Sequence, residues 1–223
     1  SAAADAARRG VTSPSPPRLV GLVLAAGASR RFGSPKQLAL IDGVPMLQRV
    51  IETAQAALPP DESGGEPRSR ITVVLGAHAE AVREGVIERL KSPLPQVVVC
   101  PDWERGMAHS LSCGLAALQA PARDAIDEGT APTAAMVMLG DTPYITADDL
   151  RRLIDAWSAS AEIPAAAAYD GTVGAPCILP RTVWPEIMQV HGDRGAGAWL
   201  RTRGVQVTRV TIAGAAHDID MPR

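Results

Sequence analysis

A chain of 223 residues is long enough to bury a full hydrophobic core. Its hydrophobic content of 46% excludes wholesale disorder, and a formal net charge of -2 gives no bulk attraction to nucleic acid or to an anionic membrane. No apolar run approaches the roughly 20 residues that span a bilayer, and nothing in residues 1–18 has the apolar segment of a secretory signal. Cys100, Cys113 and Cys177 are distant in sequence, odd in number and without a Cys-x-x-Cys pair. That pattern argues against a disulfide framework or a zinc site and fits a reducing cytoplasm.

Residues 1–18 are rich in Ala, Arg, Ser and Pro and read as a flexible extension; residues 19–223 read as one domain. Leu19 to Leu24 is a continuous apolar run, the signature of a strand covered on both faces. A glycine-bearing polar loop follows to Lys36, then a helix from about Val44 to Leu58. After a loop at Asp61 to Ser69 come a strand at Ile71 to Leu75 and an amphipathic helix at Ala77 to Leu90. Gln96 to Cys100 is the next strand, Met107 to Gln119 a helix, and Pro121 to Pro132 a second surface loop. Then follow a strand at Ala134 to Leu139, a helix at Thr146 to Ser158 and a strand near Pro164 to Tyr169. The remainder shortens: a strand at Ala175 to Leu179, helices at Arg181 to Val190 and Ala196 to Arg201, and a strand at Val205 to Ile212. Buried strands alternating with helices imply a three-layer α/β/α sandwich, Rossmann-like, around a mostly parallel sheet.

In open parallel sheets ligands bind at the carboxyl ends of the strands. The loop after the first strand reads Ala25-Ala26-Gly27-Ala28-Ser29-Arg30-Arg31-Phe32-Gly33-Ser34-Pro35-Lys36. Its glycines allow tight turns and close backbone approach, and its cations suit a polyphosphate. A P-loop is excluded, because five residues separate Gly27 from Gly33 and Lys36 comes three residues after Gly33. The Gly-x-Gly-x-x-Gly dinucleotide fingerprint is absent too.

The string Leu24-Ala25-Ala26-Gly27-x-Ser29-x-Arg31-x-Gly33-x-x-Lys36 resembles the defining motif of the nucleotidyltransferases related to the molybdenum cofactor guanylyl- and cytidylyltransferases, a nucleotide-diphospho-sugar transferase type of fold. Gln37-Leu38 and Gly43-Val44-Pro45-Met46-Leu47 follow the same family's continuation. The resemblance implies that Leu24, Ala25, Ala26, Gly27, Ser29 and Gly33 cradle a nucleoside triphosphate while Arg31 and Lys36 contact its phosphates. It also adds Gly76, just after the second strand, to the substrate-binding set.

Gly140-Asp141-Thr142-Pro143 ends a central strand, where a carboxylate is well placed for Mg²⁺, an ion held by one or two carboxylates together with phosphate oxygens. By resemblance Asp141 is the first metal ligand and a catalytic residue, with Thr142 at a position that often carries Gln or Met. Asp218 and Asp220 share one face of an extended segment. The family pattern Asp-Ile-Asp-Thr-Pro matches with Asp220 as second ligand, Met221 standing for the usual Thr.

Asp102-Trp103-Glu104-Arg105-Gly106-Met107-x-x-Ser110-Leu111 resembles a segment of the cytidylyltransferase branch, which implicates Gly106, Met107 and Ser110 in binding the base. Gly106 precedes a helix start, so the N–H groups of Met107 and Ala108 are candidates to face a ligand. Guanylyl members tend to carry Gly where this chain has Ala26, so the resemblance favours CTP over GTP. The segments around Gly174 and Asp193 resemble acceptor-side motifs, with Ala175 in place of a polar residue and Gly197 in place of an Arg, for which Arg194 or Arg201 is a candidate substitute. The implied acceptor is the phosphate of molybdopterin, with a client molybdoenzyme receiving the product. Alternatives are a guanylyltransferase, a cytidylyltransferase for a sugar or alcohol phosphate, and a non-catalytic cofactor-binding chaperone of the same fold. His78, His109, His191 and His217 show no metal spacing, and no Cys–His pairing is visible along the chain.

Overall fold

The computed structural model describes residues 18–30, 32–59, 69–120, 131–193, 195–202 and 206–217. Its core element is β1 (Leu19–Ala25), whose alternate side chains enter opposite layers. Leu19, Val23 and Ala25 join one apolar cluster, while Leu22 and Leu24 join the other. Arg18, assigned to the extension from sequence, is already docked, its carbonyl accepting the Thr133 N–H at 3.0 Å.

After the β1 loop, β2 (Leu40–Ile41) and β3 (Val44–Pro45) form a small antiparallel hairpin. Its turn is Asp42-Gly43, with φ of 50° and 80°, the two positive values that a tight hairpin needs. Val44 and Pro45 therefore belong to a strand, and the helix expected from Val44 begins at Met46. That helix, α1 (Met46–Ala57), buries Leu47, Val50, Ile51 and Ala54 at the i, i+3, i+4, i+7 spacing. Next come β4 (Ile71–Leu75) and α2 (Ala79–Gly85), the latter shorter than the expected Ala77 to Leu90 because a 3₁₀ turn takes over at Ile87–Arg89. The chain continues through β5 (Gln96–Val99), α3 (Met107–Gln119), β6 (Ala134–Leu139) and α4 (Ala147–Ser158). α3 and β6 have the bounds expected from sequence.

Beyond α4, β7 (Ala165–Tyr169) and β8 (Thr172–Pro180) form a hairpin turning on Asp170-Gly171. Register places Ala166 opposite Cys177 but Ala167 opposite Gly174, so Ala175-Pro176 form a bulge, a position where a proline costs the ladder nothing. The strand expected at Ala175 to Leu179 thus begins three residues earlier, at Thr172. A 3₁₀ turn, α5 (Trp184–Ile187), α6 (Ala196–Thr202), β9 (Thr208–Thr211) and a last 3₁₀ turn at Ala213–Ala216 follow.

Among those residues seven strands form one sheet in the order β5-β4-β1-β6-β8-β7-β9, and every pairing is parallel except those of β8. Side chains of α1, α2 and α4 enter the cluster on one face; those of α3, α5 and α6 enter the other. This is the nucleotide-diphospho-sugar transferase type of α/β/α sandwich. β4 and β5 lie on one side of β1 and β6 on the other, so strand order reverses at β1 and the crevice lies above its carboxyl end. No described helix is long and apolar enough to cross a membrane.

α4 starts with a capping box: Asp149 N–H donates to Thr146 Oγ1 at 3.1 Å, and Thr146 N–H returns a bond to Asp149 Oδ2 at 3.0 Å. Burial alone pushes the Asp149 carboxyl up, but the Thr146 N–H and hydroxyl and the Arg152 guanidinium outweigh it and hold the group below its ordinary value. Thr146→Ala is expected to cost about 1 kcal/mol in denaturant unfolding. Because the folded carboxyl titrates lower than the unfolded one, its contribution is present at neutral pH and fades on acidification. The stability gap between the protein and Asp149→Asn should therefore be full above about pH 4 and shrink as pH falls through the lowered folded value, and a gap indifferent to acidification would contradict the assignment.

Candidate active site

The loop leaving β1 is held by a side chain that sequence reading left without a role. Gln37, buried in the 3₁₀ turn Lys36–Leu38, donates through Nε2 to the carbonyls of Ala25 at 2.9 Å and Gly27 at 3.0 Å. Ser29 sits in the left-handed region at φ 53°, a conformation that costs a non-glycine residue about 1–2 kcal/mol. It is fixed there by its surroundings: its carbonyl accepts the Phe32 N–H at 2.8 Å and its Oγ accepts the Lys36 N–H at 3.1 Å. The loop is thereby closed on itself, with Gly27 open on the side where a Cβ would project.

This closure delivers Lys36 to Asp141. Lys36 Nζ lies 2.5 Å from Asp141 Oδ2, and both side chains keep about a fifth of their surface exposed, so the pair is sheltered without being sealed. Asp141 follows Gly140, whose N–H donates to the Leu24 carbonyl at 2.9 Å and extends the β1–β6 pairing past the end of the strands. The cation on Asp141 comes from a residue 105 positions away in sequence.

The opposite wall is the start of α3. Gly106 has φ 99°, and a Cβ there would lie 2.6 Å from the backbone of Gly192 and 2.7 Å from Asp193 Oδ1. The bare backbone lets the 192–193 turn dock on the helix end, where Ala108 N–H donates to the Gly192 carbonyl at 3.0 Å. Ala108 N–H is thus committed to the fold, which corrects the expectation that it faces a ligand. Met107, in contrast, is exposed. Across the mouth, Arg30 Nη2 approaches Glu104 Oε1 at 3.9 Å, both well exposed, a contact that steers more than it stabilises.

Together these walls enclose a cleft of about 500 Å³. The loop residues Leu24, Ala25, Ala26, Gly27 and Ser29 line it, joined by Lys36 and Asp141. Gly106, Met107, Ser110 and Asp193 face them from the other wall. Phe32, Gln37 and Trp103, to which sequence reading gave no role, line it as well. Three expected residues stand elsewhere. Gly33 occupies a turn at φ 77°; a Cβ on Gly76 would strike Trp103 and the Ala26 carbonyl; and a Cβ on Gly174 would strike the Tyr169 hydroxyl. Neither Gly76 nor Gly174 has room for a side chain. Arg31, Arg194, Asp218 and Asp220 lie outside the described residues.

On the acceptor side, Gly197 packs against the Gly174 backbone, and Arg201 Nη1 reaches the Val173 carbonyl at 3.4 Å. His78 caps α2 in the left-handed region at φ 60°, its ring nitrogen 3.4 Å from the Ala28 carbonyl. All three cysteines are free, as the absence of a disulfide framework in the sequence implies. Cys177 is isolated and buried, its thiol pushed up to about 12 by burial. His109 and Cys113 meet one turn apart on α3, and Cys100 joins them from the end of β5.

The chain is similar to known proteins over most of its length. Residues 21–209 match the model of the MobA-like NTP transferase domain. The purine catabolism protein PucB of Bacillus subtilis is 26% identical over 217 residues, 92% of this chain and 93% of that one. The bifunctional protein GlmU of Thermotoga petrophila is 31% identical over 144 residues, so the match spans 64% of this chain but about a quarter (26%) of that relative. The crystal structure of Rv0371c from Mycobacterium tuberculosis H37Rv superposes with a TM-score of 0.69 at 31% identity, covering 92% of this chain and 93% of that one, and a manganese complex of the same protein superposes at 0.62. With the family model matching most of its length, and a cleft built from a β1 loop, a cation and a strand-end carboxylate, this chain belongs to the MobA-like NTP transferase family.

Proposed function

We propose that the protein transfers a cytidylyl group from CTP to the terminal phosphate of a molybdopterin-type acceptor and releases pyrophosphate. The observation that carries this reading is the meeting of Lys36 and Asp141 at the open end of the β1 loop. A cation and a carboxylate side by side at a strand-order reversal suit a triphosphate with its counter-ion.

The donor set fits Mg²⁺: Asp141 is a hard oxygen ligand already facing a cation in a solvent-connected cleft, and the sequence motif assigns Asp220 as its companion. Magnesium bound there supplies charge neutralisation across the triphosphate. The protein's own residues do the positioning. The loop from Ala25 to Ser29 wraps the phosphates, Lys36 offsets charge developing on the pyrophosphate leaving group, and Arg31 adds a second cation by the motif. The acceptor phosphate is already ionised at neutral pH, so an oxygen of that phosphate attacks the α-phosphorus in line while the bond to the β-phosphate breaks. No side-chain nucleophile or general base is required, and catalysis is orientation plus electrostatics. Ala26 is buried and lines the cleft, and the resemblance, in which Ala rather than Gly at this position goes with CTP, supports the choice of CTP.

One observation favours a different acceptor. Gly197, where relatives of this type carry Arg, is packed against Gly174, and Arg201 is turned toward the Val173 carbonyl. A cytidylyltransferase acting on a sugar or alcohol phosphate is the second reading.

With molybdopterin as acceptor, pyrophosphate release is expected with CTP, slower with GTP, and reduced about 100-fold or more in Asp141→Ala. Release with a sugar phosphate but not with molybdopterin would transfer support to the second reading. Silence with every acceptor, despite retained nucleotide binding, would favour a cofactor-binding chaperone. CTP is expected to raise Tm by several degrees more than GTP; equal shifts would remove the argument from Ala26. Gln37→Leu, which strands the Ala25 and Gly27 carbonyls, should cost about 1–3 kcal/mol in unfolding and weaken CTP binding beyond what the stability loss explains. Unchanged CTP affinity would show that the loop is held by other means.

A further inference from the structure

α3 carries a second cluster of chemistry that the transfer reaction does not use. His109 and Cys113 are four residues apart on α3 and so share a face. Cys100, directly after β5, is tied to the sheet by its N–H, which donates to the Leu75 carbonyl at 2.7 Å. β5 and α3 are joined by only seven residues, 100 to 106, so the strand end is folded back against the helix. One ligand atom from each of Cys100, His109 and Cys113 lies within 4.8 Å of the other two, and Cys113 Sγ is 3.8 Å from His109 Nε2. Cys100 is buried while the other two are partly open to solvent, which gives the cluster both a protected base and an entry path.

Two sulfurs and one imidazole nitrogen form a soft donor set. Tetrahedral zinc holds sulfur at about 2.3 Å and nitrogen at about 2.0–2.1 Å, which places neighbouring donors roughly 3.5–3.8 Å apart. The Cys113–His109 separation already meets that spacing, and the third donor needs a shift of an ångström or less. Oxygen-seeking ions such as Mg²⁺ have no claim on such a set. Burial, with Cys113 and Asp102 beside it, pushes the Cys100 thiol up to about 12, and the same Asp102 charge adds negative potential where a cation would sit.

We propose that Cys100, His109 and Cys113 form a three-ligand site for a thiophilic d¹⁰ cation of the Zn²⁺ class, with a fourth position open to water. Loading displaces the two thiol protons and forms two metal–sulfur bonds and one metal–nitrogen bond, with no change of oxidation state. The site clamps the end of β5 to the first turns of α3, the same turns that present Gly106, Met107 and Ser110 to the cleft. It is independent of which nucleotide or acceptor the cleft takes.

The test uses the full chain, stripped of metal and kept reduced with a phosphine, titrated with Co²⁺ as a spectroscopic substitute for Zn²⁺. The expected result is a thiolate-to-cobalt charge-transfer band in the near ultraviolet with intense tetrahedral visible bands, saturating at one equivalent and erased by Zn²⁺. Cys113→Ala and His109→Ala, both at partly exposed positions, should each weaken or abolish these bands, and Zn²⁺ should raise Tm in the parent chain but not in either variant. Co²⁺ held at Asp141 would give only weak oxygen-ligand spectra, so the two sites are separable. A parent chain without the sulfur band, or a band unchanged in both folded variants, would overturn the proposal.

Discussion

The ion pair between Lys36 and Asp141 is the constraint around which the site is organised. Each partner stands at the end of a different chain segment, one closing the β1 loop and the other following β6. Neither would be anchored without the other elements: Gln37 ties the loop to the β1 carbonyls, and Gly140 ties the Asp141 turn to Leu24. At roughly a fifth exposed, the pair is shielded enough for its charges to act strongly and open enough to exchange partners with a ligand. A fully buried pair would resist that exchange, because breaking it strands a charge.

The sheet order explains why this meeting happens. β1 lies between β4 and β6, with β4 and β5 built outward on one side before the chain returns over the other face through α3. Residues following β1 and β6 must therefore meet, and α3 must run past the crevice. Its start is defined by contact with a distant turn, since Gly106 receives Gly192 and Asp193 at distances no Cβ would allow. A wall formed from residues nearly 90 positions apart makes the cleft dependent on the whole fold.

Much of this was legible in the chain itself. Apolar continuity marked Ala134–Leu139 and the helical pattern marked Met107–Gln119, because burial on a sheet face leaves a strong linear trace. The loop motif and Gly-Asp-x-Pro pointed to Lys36 and Asp141. What stayed hidden depends on tertiary approach. Trp103 and Tyr169 lie against Gly76 and Gly174 and leave no room for a Cβ, a packing reason for glycine that a motif does not display. Asp42-Gly43 was a hairpin signal masked by the helical periodicity that follows it. Ala108 N–H was spent on Gly192, a partner no local rule supplies. The meeting of Cys100 with His109 and Cys113 required knowing that β5 and α3 fold together.

We propose that Asp141 supplies a metal position completed by the phosphates of a bound nucleoside triphosphate. Electron paramagnetic resonance of Mn²⁺, titrated into the protein with and without CTP, tests it most directly. The account predicts weak Mn²⁺ binding alone, binding strengthened at least about 10-fold by CTP as phosphate oxygens complete the ligand set, and loss of that strengthening in Asp141→Asn. Mn²⁺ affinity indifferent to CTP, or a CTP effect that survives Asp141→Asn, would contradict it.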